Sequence, residues 1–426
     1  MPKKAVLIGA LDTKGYEFQF IKETLQKCGV ETFIVDTGVL GDPMLQPDIS
    51  ADQVAQAGGA TIEQLRIQND RGTAVTVMGN GAAAIIKELE STGIVGGVYG
   101  MGGTAGTTVA AYAMQALPIG VPKLLVSTVA SGNTRPYVGV KDITMMYSVV
   151  DIAGINKLSR RILSNAAYAL AGMILQQEQE ADLGNGDDKI TLGITMFGVT
   201  TPCATRVREL LEQKGYDILV FHATGTGGLA MEELIKAGYI TGVADITTTE
   251  LADELVGGIF SAGANRLEAA GTAGIPQVVS VGALDMVNFG PRESVPSQFK
   301  DRVFYQHNPT TTLMRTTVAE NRELGRILAS KLNKSTAPTL VILPKAGVSL
   351  LDMDTKPFDG KEERQALFDG IKQHLRADIT FIELEPDIND PSVAEAIAEH
   401  LIRMLEDISN QTKGELKHGD IQTGNS

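Results

Sequence analysis

The run Gly100-Met101-Gly102-Gly103-Thr104-Ala105-Gly106-Thr107-Thr108 sets four glycines and three threonines between two different patterns. Before it lies a strand-like segment ending at Tyr99; after it, Val109 to Leu117 is alanine-rich with helical spacing. Glycines let backbone N–H groups turn toward a ligand, threonines add hydroxyl donors, and a helix start adds partial positive charge. The chemistry this implies is capture of a phosphate or a carboxylate. The competing reading is a tight strand-to-helix turn that holds no ligand.

Loops of similar make-up recur. In the first half they are Gly9-Ala10-Leu11-Asp12-Thr13-Lys14-Gly15, Asp36-Thr37-Gly38, Met78-Gly79-Asn80-Gly81 and Ser127-Thr128-Val129-Ala130-Ser131-Gly132-Asn133. In the second half they are Phe197 to Thr201, His222-Ala223-Thr224-Gly225-Thr226-Gly227-Gly228, Asp245 to Glu250 and His307 to Thr311. Small residues joined to hydroxyls suit phosphate, ribose or sugar oxygens. The ligand contacts expected are Asp12, Thr13, Lys14, Gly100, Gly102, Gly103, Thr104, Gly106, Thr107, Thr128, Ser131, Thr224, Gly225, Thr226 and Gly227. The loop around Lys14 lacks the residue order of a Walker P-loop, so Lys14 reads equally as a phosphate contact or as a solvated residue at a helix start. Gly100, Gly102 and Ala105 match G-x-G-x-x-A, yet the next strand ends in Ser127-Thr128 rather than in an acid for a ribose, which weakens a dinucleotide reading. Asp12 and Asp36, like Asp245, stand at strand ends, where an aspartate either holds Mg²⁺ through water or caps a helix.

No H-E-x-x-H, C-x-x-C or G-x-S-x-G occurs. His222 and His307 fall in loops and are the candidates for a general acid or base; His374, His400 and His418 are assigned to helix surfaces or the tail. Cys28 reads as packing. Cys203 sits after Pro202 at a helix start, where either an activated thiolate or a small buried residue fits.

The elements that would position these residues repeat. A constant offset pairs Gly29 with Gly215, Asp36 with His222 and Thr37 with Ala223. Strand Ala5–Ile8, loop Gly9–Gly15, helix Tyr16–Lys27 and strand Glu31–Val35 are answered by strand Ile190–Thr195, loop Met196–Pro202, helix Ala204–Lys214 and strand Asp217–Phe221. Strand and helix alternate throughout, which predicts an α/β protein of two Rossmann-like, doubly wound parallel-sheet domains related by an internal repeat. Their expected bounds are 1–183 and 189–409, with a linker at 184–188 and a polar tail without fixed structure at 410–426. Long helices are predicted over Ile155–Glu180 and Thr311–Leu332, and a terminal helix from Asp390-Pro391 to about Asp407. Ligands of open parallel sheets bind beyond the carboxyl ends of the strands, so one cleft between the halves is the expected site, with closure on binding.

Composition narrows the partners. The chain has 426 residues, 46 glycines, no tryptophan and a formal charge of −14, which argues against bulk electrostatic binding to nucleic acid or an anionic membrane. Two cysteines, no long apolar span and a start that runs directly into a strand predict a cytoplasmic protein.

The blocks GALDTKG, VDTGVLGDP, VYGMGGTAGT, STVASGNTRPYVG, FGVTTPC, HATGTGG and ILPKAGVSLLD, spaced from residue 1 to about 408, resemble the family containing the ATP-binding N-terminal region of the tomato mosaic virus resistance protein. That resemblance implies a two-subdomain α/β fold, ATP binding and self-association, with a dimer favoured; it implies no settled reaction. The reading that follows is a nucleotide-binding protein with Gly100 to Thr108 on the phosphates and Asp12, Thr13 and Lys14 contributing phosphate or Mg²⁺ contacts. The alternatives are an enzyme acting on a phosphorylated or sugar-like metabolite with His222 or His307 as base, and a non-catalytic interaction module with bound nucleotide.

Overall fold

The computed structural model describes residues 3–183 and 189–422, and the chain divides into two compact units at Asp187/Asp188. In the first unit the order is β1 (Lys4–Gly9), α1 (Leu11–Lys27), β2 (Thr32–Asp36), α2 (Ala51–Ala57), α3 (Ile62–Gln68), α4 (Arg71–Ser91), β3 (Val95–Gly102), α5 (Thr104–Gln115), β4 (Lys123–Ser127), α6 (Arg135–Val138), β5 (Thr144–Tyr147) and α7 (Lys157–Leu183). Its sheet is parallel, in the order β2-β1-β3-β4-β5. Parallel strands are covered on both faces and so read as continuous apolar runs. Along β1, Val6 and Ile8 join the core beneath α2, α4 and α5, while Ala5 and Leu7 join the opposite core with Phe18 and Leu25 of α1 and Leu163 and Leu170 of α7.

The second unit runs β6 (Thr191–Met196), α8 (Thr201–Gln213), β7 (Asp217–His222), α9 (Thr226–Lys236), β8 (Gly242–Thr247), α10 (Glu250–Val256), α11 (Ala269–Ala273), β9 (Gln277–Gly282), β10 (Met286–Phe289), β11 (Phe304–Asn308) and β12 (Thr311–Arg315). It ends with α12 (Val318–Leu332), β13 (Thr339–Pro344), α13 (Lys361–His374), β14 (Thr380–Leu384) and α14 (Pro391–Gln422). Its parallel sheet, read as β7-β6-β8-β9-β13-β14, winds as the first does and adds a sixth strand. The repeat seen in the sequence is thus a repeat of topology.

Several segments depart from the sequence reading. The loop expected at Gly9–Gly15 shrinks to Ala10, because α1 starts at Leu11 and is only kinked at Lys14. Met78–Gly81 is no loop but the middle of α4. A Cβ at Gly81 would lie 1.9 Å from the Val54 carbonyl oxygen, so that glycine serves the contact of α4 with α2. Thr311–Leu332 is no single helix: the β-branched run Thr311-Thr312 opens strand β12, and Thr317 and Glu320 form a capping box that starts α12. With β10 and β11 it makes a three-stranded antiparallel sheet that the alternating pattern concealed. Helix α14 continues past Asp407 to Gln422, into the expected tail; residues 423–426 and the linker 184–188 lie outside the described residues.

Candidate functional site

The order of strands in the first sheet reverses between β1 and β3, and the crevice beyond their carboxyl ends is where ligands of such sheets bind. A cavity of about 620 Å³ lies there, lined by first-unit residues from the start of α1, the loop after β2, the α3–α4 segment and the end of β3. The sequence-predicted Asp12, Thr13, Lys14, Gly102, Gly103 and Gly106 meet on its wall.

Three helix N-termini reach this crevice, those of α1, α4 and α5, and they differ in occupancy; Asp70 caps α4 by accepting from Thr73 N at 2.7 Å. At α1, Asp36 Oδ1 accepts from Leu11 N at 3.0 Å and from Gly38 N at 2.9 Å, so the helix start already has its anion. Burial pushes the Asp36 carboxyl above its ordinary range, against the pull of those two donors. At α5, the N-cap is Gly103, which brings no side-chain acceptor, and the N–H groups of Thr104, Ala105 and Gly106 find no acceptor among the described residues. The α5 terminus is the open one.

The glycines there act by size. None of Gly100, Gly102, Gly103 and Gly106 has positive φ. A Cβ on Gly102 would lie 2.9 Å from Gly106 Cα, and one on Gly100 would lie 2.4 Å from Ala110 Cβ, which places Gly100 in the strand–helix packing and away from the cavity. Gly103 is different: the only atom near its Cβ position is Thr128 Oγ1 at 3.8 Å. Thr107 is buried with its hydroxyl 2.7 Å from Ser127 Oγ, so it fastens α5 to β4 rather than meeting a ligand. Thr128 N donates to the Gly102 carbonyl, and Ser131 is exposed on the loop beyond.

The other wall is a strap, residues 37–41. Asp12 Oδ2 accepts from Leu40 N at 2.8 Å and Gly41 N at 3.1 Å, and Arg66 Nε donates to the Val39 carbonyl at 2.6 Å. Asp12 Oδ1 is buried with no partner. The Lys14 ammonium donates to the Ile152 carbonyl, a neutral acceptor. Arg71, at the start of α4, lines the cavity with no partner among the described residues. Leu65, Val75, Met78 and Val109 supply an apolar face. The α3–α4 contributions were missed from the sequence; the one signal was Asn69-Asp70-Arg71, where Asn69 takes φ 47° and Asp70 caps α4 on Thr73 N.

In the second unit the corresponding loop holds an internal anion. Gly225 N and Gly228 N, at the start of α9, donate to Glu250 Oε1 at 2.7 and 3.0 Å. Thr224 Oγ1 turns to the His222 carbonyl. Asp245 accepts from Thr195 Oγ1 at 2.7 Å and from both terminal nitrogens of Arg266. His222 is exposed at the end of β7, its ring 5.4 Å from that of Phe197, and partial burial lowers its pKa. His307 is exposed on the β11–β12 hairpin instead of in a cleft loop. Cys203 is buried, which pushes its thiol to about 12 and removes the thiolate reading. Among the described residues no three or more His, Cys, Asp or Glu side chains gather as a metal-ligand set, and no helix is long and apolar enough to cross a membrane.

Comparison with known proteins fits this geometry into a group. A UPF0261 protein of Clostridium tetani is 53% identical over 407 residues, covering 95% of this chain and all of that one. The tomato ToMV susceptible protein tm-1(GCR26) is 40% identical over 419 residues, and the ToMV resistance protein Tm-1(GCR237) is 43% identical over 341. The match covers 93% and 78% of this chain but only 55% and 45% of the tomato proteins, which are much longer. Among solved structures, UDP-N-acetylglucosamine 2-epimerase from Rickettsia bellii aligns over 96% of each chain at 10% identity and a TM-score of 0.23, too distant to inform on a substrate. Residues 3–179 match the N-terminal domain and residues 189–405 the C-terminal domain of an uncharacterised protein family, so the chain belongs to the UPF0261 family.

Proposed function

We propose that the first unit binds a nucleotide, with its phosphates at the N-terminus of α5 and its base and sugar along the apolar face formed by Leu65, Val75 and Met78. The observation that carries this is the contrast between helix starts: α1 and α9 receive carboxylates from their own chain, while α5 opens uncapped into a cavity of about 620 Å³. That volume lies in the range of small-molecule sites. Arg71 adds an unpaired positive charge at the same wall. ATP is the nucleotide that the family resemblance favours.

Mg²⁺ fits as a passenger on the phosphates. It is commonly held by one or two carboxylates with the remaining ligands from phosphate and water, and Asp12 Oδ1 is a buried oxygen without a partner. When bound, the ion would neutralise phosphate charge; Asp12 would hold it while its other oxygen keeps the strap in place. Neither His222 nor His307 lines the cavity, so binding without a histidine base is the reading supported. Self-association as a dimer is carried from the resemblance and is checked by sedimentation at several concentrations.

The deciding experiment is calorimetric titration of Mg-ATP into wild type and Gly103→Val. Gly103 has φ −75° and open space around its Cβ position, so valine is accommodated by the backbone and reaches into the anion position. At least tenfold weaker binding in a folded variant is expected; unchanged affinity removes α5 from the site. Gly102→Val is the poorer probe, because its side chain would strike the Gly106 backbone.

A further inference from the structure

The second unit contains a complete anion-binding site with its anion built in. Gly225, Gly227 and Gly228 wrap the start of α9, and each position excludes a side chain for a separate reason. Gly225 has φ 85°, and a Cβ on Gly227 would lie 1.9 Å from the His222 carbonyl oxygen. A Cβ on Gly228 would lie 2.1 Å from Glu250 Oε2 and 2.7 Å from Arg266 Nε. Glycine at 228 is therefore what makes room for the carboxylate itself. The carboxylate is gripped on both oxygens: Oε1 by two backbone N–H groups, Oε2 by Arg266 Nε at 2.6 Å. Glu250 and Arg266 are 0% and 1% exposed.

A glycine-lined helix start with an arginine opposite is the arrangement by which proteins hold carboxylates and phosphates from outside. Arg266 is fixed independently of Glu250, since Asp245 takes its two terminal nitrogens at 2.5 and 2.7 Å. The segment after it is fixed too: Glu232 accepts from Leu267 N and Ala269 N at 2.7 and 2.8 Å. The receptor would persist without its occupant.

We propose that Gly225–Gly228 and Arg266 form an anion site whose resident is Glu250, and that a small carboxylate, formate or acetate, takes its place once that side chain is shortened. Native protein then offers this site to no external anion. The proposal does not depend on nucleotide binding in the first unit.

The test uses the full chain as wild type, Glu250→Ala and Glu250→Gln, melted in formate, acetate and chloride at equal ionic strength. E250A should lose stability and regain at least half of the lost Tm in formate or acetate, saturably, with no such response in wild type, which also subtracts any binding of these ions at α5. Saturation-transfer NMR on formate should show contact with E250A alone. E250Q should also lose stability and show no anion response, because its carboxamide fills the space while its NH₂, in either orientation, meets an N–H donor, that of Arg266 or those of Gly225 and Gly228. A folded E250A indifferent to carboxylates overturns the proposal. Wild-type stability of E250Q overturns it as well, and that arm decides if E250A is insoluble.

Discussion

Asp12 holds the strap with one oxygen and leaves the other unpaired, and its amide variant distinguishes the two. In Asp12→Asn the side-chain oxygen can still accept from Leu40 and Gly41, while the buried, unpaired charge on the other side disappears. Ligand-free stability should stay level within about 1 kcal/mol, since the amide NH₂ that takes the place of Oδ1 is itself a buried group without a partner. Affinity for ATP should at the same time lose its dependence on Mg²⁺; thermal melts and titrations with and without the ion check both. Arg71→Ala should weaken nucleotide binding about tenfold and flatten its salt dependence without changing Tm, as an unpaired cation contributes to ligand affinity and little to the fold. Asp253 is the residue for a pH experiment. Burial pushes its carboxyl to about 7, although Asn288 and the Phe260 N–H pull the other way. An unfolded aspartate titrates near pH 3.9, so the folded state holds the extra proton, and this group's stabilisation is full below about pH 4 and lost as pH rises through about 7. Urea midpoints should fall across that window, and Asp253→Asn should flatten the fall.

Elements were legible where period and punctuation agreed. The apolar runs of β1, β3, β4 and β9 and the Gly29 and Gly215 turns mark βαβ units that need no further information. The glycine run was legible as a strand-to-helix junction, and its uncapped helix start follows from glycine at the N-cap. What the sequence hid was long-range. That Asp36 caps α1 and Glu250 caps α9 depends on which strand lies beside which, and a carboxylate in the sequence looks the same whether its partner is a ligand or a backbone N–H 25 residues away. The wall supplied by α3 and α4 was hidden because Met78-Gly79-Asn80-Gly81 has turn composition, yet Gly79 and Gly81 are there so that α4 can approach α5 and α2. Gly81→Ala should consequently lower stability by about 1–3 kcal/mol or more through overpacking against Val54, measured by denaturant midpoint.

At the scale of the whole molecule, two sheets of one winding order carry different sites: a cavity with an open helix start in the first unit, a filled anion position in the second. Calorimetry should accordingly give one nucleotide per chain. Residues 1–183 alone should bind Mg-ATP within about threefold of the full chain, since the cavity is lined by that unit; full loss of binding would show that the second unit supplies contacts. The tether between Lys14 and Ile152 has a consequence for the order of events during synthesis. Its partners are separated by 138 residues, and Glu17 makes a companion bond to Gly154 N. The kinked first turn of α1 therefore leaves the ribosome well before the segment that secures it, which follows the last strand of the sheet. At translation rates of roughly 5–20 residues per second that delay is on the order of 10–30 s. Throughout it the start of α1 lacks its anchor to the Ile152–Gly154 segment, so that wall of the cavity is fastened only after the whole sheet has been made.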